Sequence, residues 1–427
     1  MNLSWISIVR LGLVQMALGA IVVLMTSTLN RLMIVELALP AILPGFLVAL
    51  HYGIQITRPN WGFRSDKGGR RTPWVITGMV ILGLGGLIAA AAIPLMETQL
   101  TLGLIISILA YALIGLGVGA SGTSLLALLA TSTAPRRRAA AATITWLMMI
   151  AGIAITAGVT GALLEPYSHT LMLKIVASVA IIAVVITILA ILGIEKQDTI
   201  IEEVEDMSFL EGIKEIWGEQ KARSFSIFVF LSMTAYFMQE LILEPYAGLV
   251  FGLTPGESTS LSGVQNGGVF LGMISVGILC TGLNLGNLRS WVIAGCIGSA
   301  LSLALIAVLG LVGSQLQLTI SVVSLGFFNG MFAVGAIGSM MSLAGQGRNG
   351  REGTRVGIWG AAQAIAAGFG GLLGASLVDL MRLILATDAT AYGTVFLFEA
   401  ALFIASSALA IKVMSARPMS VGLVPGE

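Results

Sequence analysis

Long apolar runs alternate with short polar breaks along the whole chain. Each run is near the length of helix, about 20 residues, that crosses the hydrocarbon core of a bilayer. The runs fall near 9–28, 40–59, 74–95, 101–130, 140–163, 170–194, 224–252, 260–281, 290–313, 317–343, 356–384 and 391–414. The pattern predicts twelve transmembrane helices and an all-α polytopic membrane protein. The longest break, 195–223, carries nine of the 21 acidic residues and reads as a solvated linker. In its second half, Ser208 followed by Glu211 has the form of a capping box. Phe209, Leu210, Ile213, Ile216 and Trp217 then share one helical face. This predicts an amphipathic helix on the cytoplasmic surface, serving either as a tether or as a docking element.

A repeat places the same cut in the chain. The stretch SLLALLATSTAPRRR, with Trp146 and Gly161 in the span that follows, resembles SMMSLAGQGRNGRE, followed by Trp359 and Gly374. Both pairs are offset by 213 (359 − 146 and 374 − 161). The expected organisation is a six-helix half over 1–195, a linker over 196–223 and a second six-helix half over 224–427, related by an axis along the membrane normal.

Composition agrees with lipid as the solvent. The chain is 57% hydrophobic and 10% charged, against roughly 25% charged in soluble domains, and its mean hydropathy is +0.98. Its 53 glycines suit close helix packing. The formal net charge of +1 argues against nucleic acid as a partner. Cys280 and Cys296 both lie in apolar runs and read as buried thiols. No cleavable leader is evident, so the first run reads as a retained span. With the N-terminus in the cytoplasm, all basic residues except Arg31, Lys174 and Arg382 fall at inner ends, in line with the positive-inside rule. Both termini are then cytoplasmic. The clusters Arg136–Arg138 and Arg348, Arg351, Arg355 read as topology anchors against anionic lipid.

The segment WGFRSDKGGRRTPW, Trp61 to Trp74, is the most distinctive break. Pro59 ends the run before it, and Pro73 suits the first turn of the next helix. Gly62 and Gly69 permit a tight reversal, Asp66 caps or pairs, and Lys67, Arg70 and Arg71 fix the side. The pattern Gly-x-x-x-Asp-Lys-x-Gly-Arg-Arg resembles the loop between helices 2 and 3 of the major facilitator superfamily. The stretch TGLNLGNLR, where that loop should recur, has lost the acid, so the two gates are not equivalent.

Polar groups at membrane depth are costly and mark candidate sites. One cluster holds Asn30, Arg31 and Glu36 at the outer end of the first span. Arg31 and Glu36, five apart, point about 140° from each other on an α-helix, so each needs another partner. A second cluster holds Gln239, Glu240 and Glu244, the two acids sharing a face. In the facilitator architecture the first and seventh helices face each other. This places an Arg31–Glu240 pair across the halves, or else sends both side chains to headgroups and water. His51, mid-span, is either a ligand to a pigment magnesium or a packing histidine. Gln265, Asn266 and Asn329 line a cavity or join helices. Asp379 and Glu399 are candidate proton sites. No Walker loop, Cys/His cluster or Asp-rich diphosphate motif is present in the sequence, so no catalysis and no metal site is expected.

RLGLVQMALG at Arg10, NRLMIVEL at Asn30 and QELILEPYAGLVFGL at Gln239 resemble the PucC family of photosynthetic bacteria. HYGIQITRPNWGFRSDKGGRR is similar to one branch of that family, named for a bacteriochlorophyll synthase chain. The resemblance implies a role in bacteriochlorophyll supply and light-harvesting complex assembly in the bacterial inner or intracytoplasmic photosynthetic membrane. It implies light-harvesting polypeptides and a pigment-synthesis enzyme as partners, with bacteriochlorophyll as a bound group. The 19 methionines would supply an adaptable surface for such a ring system. The competing reading is a proton-coupled carrier of a small lipophilic solute.

Overall fold

The structure, a computed structural model, describes residues 3–57, 70–133, 138–195, 218, 220–282, 285–312, 315–344 and 352–414. Among them twelve helices follow one another without a strand: α1 (Trp5–Val23), α2 (Ile42–Ile54), α3 (Thr72–Thr98), α4 (Leu100–Ser132), α5 (Arg138–Leu163), α6 (His169–Ile191), α7 (Gln220–Phe251), α8 (Pro255–Val276), α9 (Leu288–Val312), α10 (Gln315–Ala344), α11 (Glu352–Ile384) and α12 (Asp388–Val413). Eleven helices are long and apolar enough to cross a membrane. The remaining one, α2, forms a shorter apolar segment of Ile42–Thr57 by continuing as a 3-10 turn. The chain is an all-α integral membrane protein. The segment 58–69, which holds Gly62, Asp66, Lys67 and Gly69, lies outside the described residues, as do the 208–217 stretch, Arg136, Arg137, Arg348 and Arg351.

Local chemistry sets the helix starts. Ser4 accepts from the Ser7 amide at the head of α1, Ser168 from Leu171 at α6, and Thr387 from Thr390 at α12. Each satisfies one amide that the first turn leaves without an intrahelical acceptor. At α8 the sequence Thr254-Pro-Gly-Glu257 builds a complete capping box with Pro255 in the first turn. Helix α3 borrows its cap. Glu195, just past α6, accepts from the backbone amides of Arg71 at 2.8 Å and Thr72 at 2.8 Å, and from the Thr72 hydroxyl at 2.7 Å. A carboxylate there also meets the positive end of the helix dipole. Arg71 reaches on to the Ala127 carbonyl at 3.1 Å, tying α3 to α4.

The first helix departs from expectation. It continues past Val23 as π-helical segments, Leu24–Leu29 and Leu32–Glu36, so that one span runs from Trp5 to Glu36. The 30–36 polar cluster therefore lies within the last turns of the first span, which extends eight residues past the expected end at 28.

Helix α1 packs on α5 and α6, α3 on α4 and α6, and α2 on α4. Correspondingly, α7 packs on α11 and α12, α9 on α10 and α12, and α8 on α10. Advancing each helix by six turns the first set into the second. One hydrophobic core runs from Leu3 to Ile194, with Leu241 added; another runs from Phe225 to Met414. Two further pairings, α5 with α8 and α2 with α11, join the sets and exchange under the same operation. Large apolar side chains such as Ile181, Leu301 and Leu383 face outward, as a lipid-contacting surface requires.

Candidate functional site

The polar side chains converge at the end of the bundle opposite Arg71, where α1 and its π-helical continuation cross α7 and α8. Asn30 is fully buried and donates to the Leu241 carbonyl at 2.8 Å. The Thr28 and Thr259 hydroxyls meet at 3.1 Å, and the Ser27 hydroxyl donates to Glu244. Thr26 stands at the Glu240 carboxyl. Gln239 and Glu244 are buried on α7. Six sequence candidates (Asn30, Arg31, Glu36, Gln239, Glu240 and Glu244) thus lie on or beside one seam.

The pairing within that group differs from expectation. Arg31 is 2% exposed; it binds Glu36 at 2.5 Å and the Leu253 carbonyl at 2.8 Å. Glu240 is not the ion-pair partner. The reason is the backbone. A π-helix closes on the fifth residue, as the Leu37 amide shows by donating to the Leu32 carbonyl at 3.1 Å. Residues five apart, divergent on an α-helix, then stack. Gly252, at φ +70°, ends α7 so that Leu253 can turn its carbonyl to Arg31.

The two seams that join the helix sets are stapled alike. Asp379 of α11 accepts from the amides of Ala41 at 3.0 Å and Ile42 at 2.8 Å, capping α2. Glu165, just past α5, accepts from the hydroxyl of Thr254, the cap of α8. Thr254 is 213 positions after Ala41, the offset of the sequence repeat, and Asp379 is 214 after Glu165. An acid of each set therefore holds the first turn of a helix of the other. Asp379→Ala is expected to cost about 1 kcal/mol, within the range for lost helix caps. Glu165→Ala should cost less, because Glu165 is exposed and screened. Thermal unfolding in detergent should give near-additive losses in the double variant, since the staples share no partner.

The remaining candidates are dispersed. His51 is buried in α2; its Nε2 accepts from the Gln55 amide nitrogen at 2.9 Å and its ring meets Tyr52 edge-on at 4.8 Å. Asn329 is fully buried and accepts from Ser299 at 2.8 Å, joining α10 to α9. Asn266 donates to Ser262 of its own helix at 3.0 Å, and Gln265 is half-buried. Glu399 is fully buried in α12, with neither oxygen hydrogen-bonded among the described residues.

Sequence reasoning missed Glu165 and a second group at the same end. Glu97 meets His169 Nε2 at 2.9 Å, and Tyr167 meets His169 Nδ1 at 2.8 Å. Burial, then the Glu36 and Glu97 carboxylates, push the Tyr167 hydroxyl up to about 12.

The family described as "PUCC protein" matches residues 28–417. The "Bacteriochlorophyll synthase 44.5 kDa chain" of Rhodobacter capsulatus is 62% identical over 98% of this chain and 97% of its own. "Protein PucC" of Cereibacter sphaeroides is 29% identical over 84% of this chain and 81% of its own. Among solved structures, nucleoside transporter NupG superposes with a TM-score of 0.67 at 13% identity, covering 95% of this chain and 98% of its own. A variant of NupG gives 0.71 at 14%, with 96% and 100% covered. At that identity the likeness establishes the fold alone, shared with NupG over nearly the whole chain. The match over residues 28–417 and the 62% identical relative show that this chain is a member of the PucC family.

Proposed function

We propose that the protein acts in bacteriochlorophyll supply and light-harvesting complex assembly, holding or passing pigment within the photosynthetic membrane, without catalysing a covalent step. The observation that carries this reading is the 62% identity, over nearly the whole chain, to a relative named for bacteriochlorophyll synthesis. The two helix sets would work as halves, 1–195 and 224–427, with 196–223 as the linker and both termini in the cytoplasm. The two separate cores support that division. His51 is the chain's candidate ligand for a pigment magnesium. Its Nε2 is held by Gln55, so a pigment would take that nitrogen by displacing the amide. Light-harvesting polypeptides and a pigment-synthesis enzyme are the proposed partners.

The test is an absorption spectrum of the protein purified in mild detergent from its photosynthetic host, with mass spectrometry of the same sample. Stoichiometric bacteriochlorophyll, lowered severalfold in His51→Ala, together with copurifying antenna polypeptides is the expected result. A colourless preparation without those partners would overturn the reading and favour a proton-coupled carrier of a lipophilic solute. Glu399, buried without a hydrogen-bond partner among the described residues, would then be the first group to neutralise.

A further inference from the structure

The seam between α1 and α7 holds more acidic than basic side chains among the described residues. Four ionisable groups meet there: Arg31 and Glu36 from the continuation of α1, and Glu240 and Glu244 from α7. Arg31, the one cation of the seam among the described residues, binds Glu36 at 2.5 Å and the Leu253 carbonyl. Two carboxylates remain, one turn apart on α7, in a region where uncompensated charge is costly. The polar groups beside them include hydroxyls. The hydroxyl of Ser27 and that of Ser262 reach Glu244, Thr26 stands at Glu240, and the Thr28–Thr259 hydroxyl pair bridges α1 and α8 close by. Tyr236 is the further titratable neighbour of Glu240.

The unsatisfied atoms point the same way. Glu244 is 3% exposed, and its Oε2 has no hydrogen-bond partner among the described residues. Asn30, fully buried and one residue before Arg31, leaves its Oδ1 without a partner as well. Both are acceptors. A site with surplus buried oxygens, hydroxyls able to turn their lone pairs inward and more acidic than basic side chains has the composition that a small hard cation requires.

We propose that Ser27, Glu244 and Ser262 form a binding site for one small monovalent cation, a sodium ion or a proton, at the junction of α1, α7 and α8, one turn of α7 from Glu240. Because its donors come from both helix sets, the bound cation holds this end of the bundle closed, and its release favours separation there. The proposal is independent of the pigment reading and stands or falls on separate measurements.

The test uses the full-length protein in detergent. Thermal unfolding is followed while NaCl replaces N-methyl-D-glucamine chloride at constant ionic strength, and separately across pH 5.5 to 9. For sodium, the expected result is a saturable rise in Tm of roughly 2 °C or more, absent in Glu244→Gln and weakened in Ser27→Ala and Ser262→Ala. For a proton, Tm is insensitive to sodium and falls as pH rises, and that fall flattens in Glu244→Gln. Glu257→Gln, which changes an exposed acid of the α8 capping box, should respond like the wild type. A Tm flat in both titrations would overturn the proposal, as would a response that survives in Glu244→Gln. Should Glu244→Gln fail to purify, the two serine variants carry the test, because they leave both carboxyls in place.

Discussion

Arg31→Ala should destabilise the protein by about 3–5 kcal/mol, the range for removing one partner of a buried ion pair. The guanidinium is almost fully buried, and three groups depend on it. Glu36 loses its 2.5 Å partner, the Leu253 carbonyl loses its donor, and Glu244 loses the positive charge that acts on it across the seam. Glu36→Gln should cost less, about 1–2 kcal/mol, because the amide oxygen of Gln can still accept from the guanidinium and the side chain at 36 is 38% exposed. Arg31→Lys should fall between, since one ammonium cannot span Glu36 and Leu253 as the planar guanidinium does. The rescue experiment distinguishes the pairing seen here from the one read off an ideal helix. Arg31→Glu combined with Glu36→Arg should recover part of the loss, whereas Arg31→Glu with Glu240→Arg should recover none. Yield of monodisperse protein and Tm in detergent report both outcomes.

That contrast shows where sequence reasoning reaches and where it stops. Helix number and order are legible because lipid forces every backbone amide to be satisfied within its own segment. Each span must then announce itself as a long apolar run. The convergence of Asn30 and Arg31 with Gln239 and Glu244 was legible for a related reason, since buried polar groups stand out in so apolar a chain. Their pairing was not, because nothing in LMTSTL or LMIVE signals a π-helix, and the change from four residues to five in the hydrogen-bond ladder redirects every side chain beyond it. Asp379 was found by its depth, but its use is set by the start of α2, 338 residues earlier. Glu165 stood in plain view beside Pro166. The capping box at Thr254 and the repeat offset together point to it, because the offset carries Ala41 onto Thr254 and Glu165 to within one position of Asp379.

Gly330→Leu should prevent accumulation of folded protein, and Gly330→Ala should cost about 2 kcal/mol, within the range for overpacking. Helices α8 and α10 run in parallel and approach through paired glycines four residues apart, Gly268 and Gly272 on one, Gly326 and Gly330 on the other. A Cβ at Gly330 would sit 2.1 Å from the Val269 carbonyl oxygen, and one at Gly272 would sit 2.0 Å from that of Phe327. The obstacle is backbone in each case, so no rotamer change relieves it, and the helices have to separate. In lipid, where apolar surface gains little by leaving its surroundings, such close approach is itself a main source of helix association. Gly267 supplies the control. It lies one residue from this contact, yet nothing stands within 4 Å of the Cβ it would gain. Gly267→Ala should be neutral or stabilise by about 0.5 kcal/mol through helix propensity. The damage at Gly330 should not stay within its own helix pair. Val269 is 3% exposed and packs with Ile150 of α5 and with Met273 in the seam between the two helix sets. Displacing α8 from α10 therefore drives it against α5, on the same helix whose first turn is stapled by Glu165. If Gly330→Ala lowers Tm as expected, Glu165→Ala on that background should lose more than the sum of the two single changes. Strict additivity would show that the α8–α10 contact and the α5–α8 seam are independent.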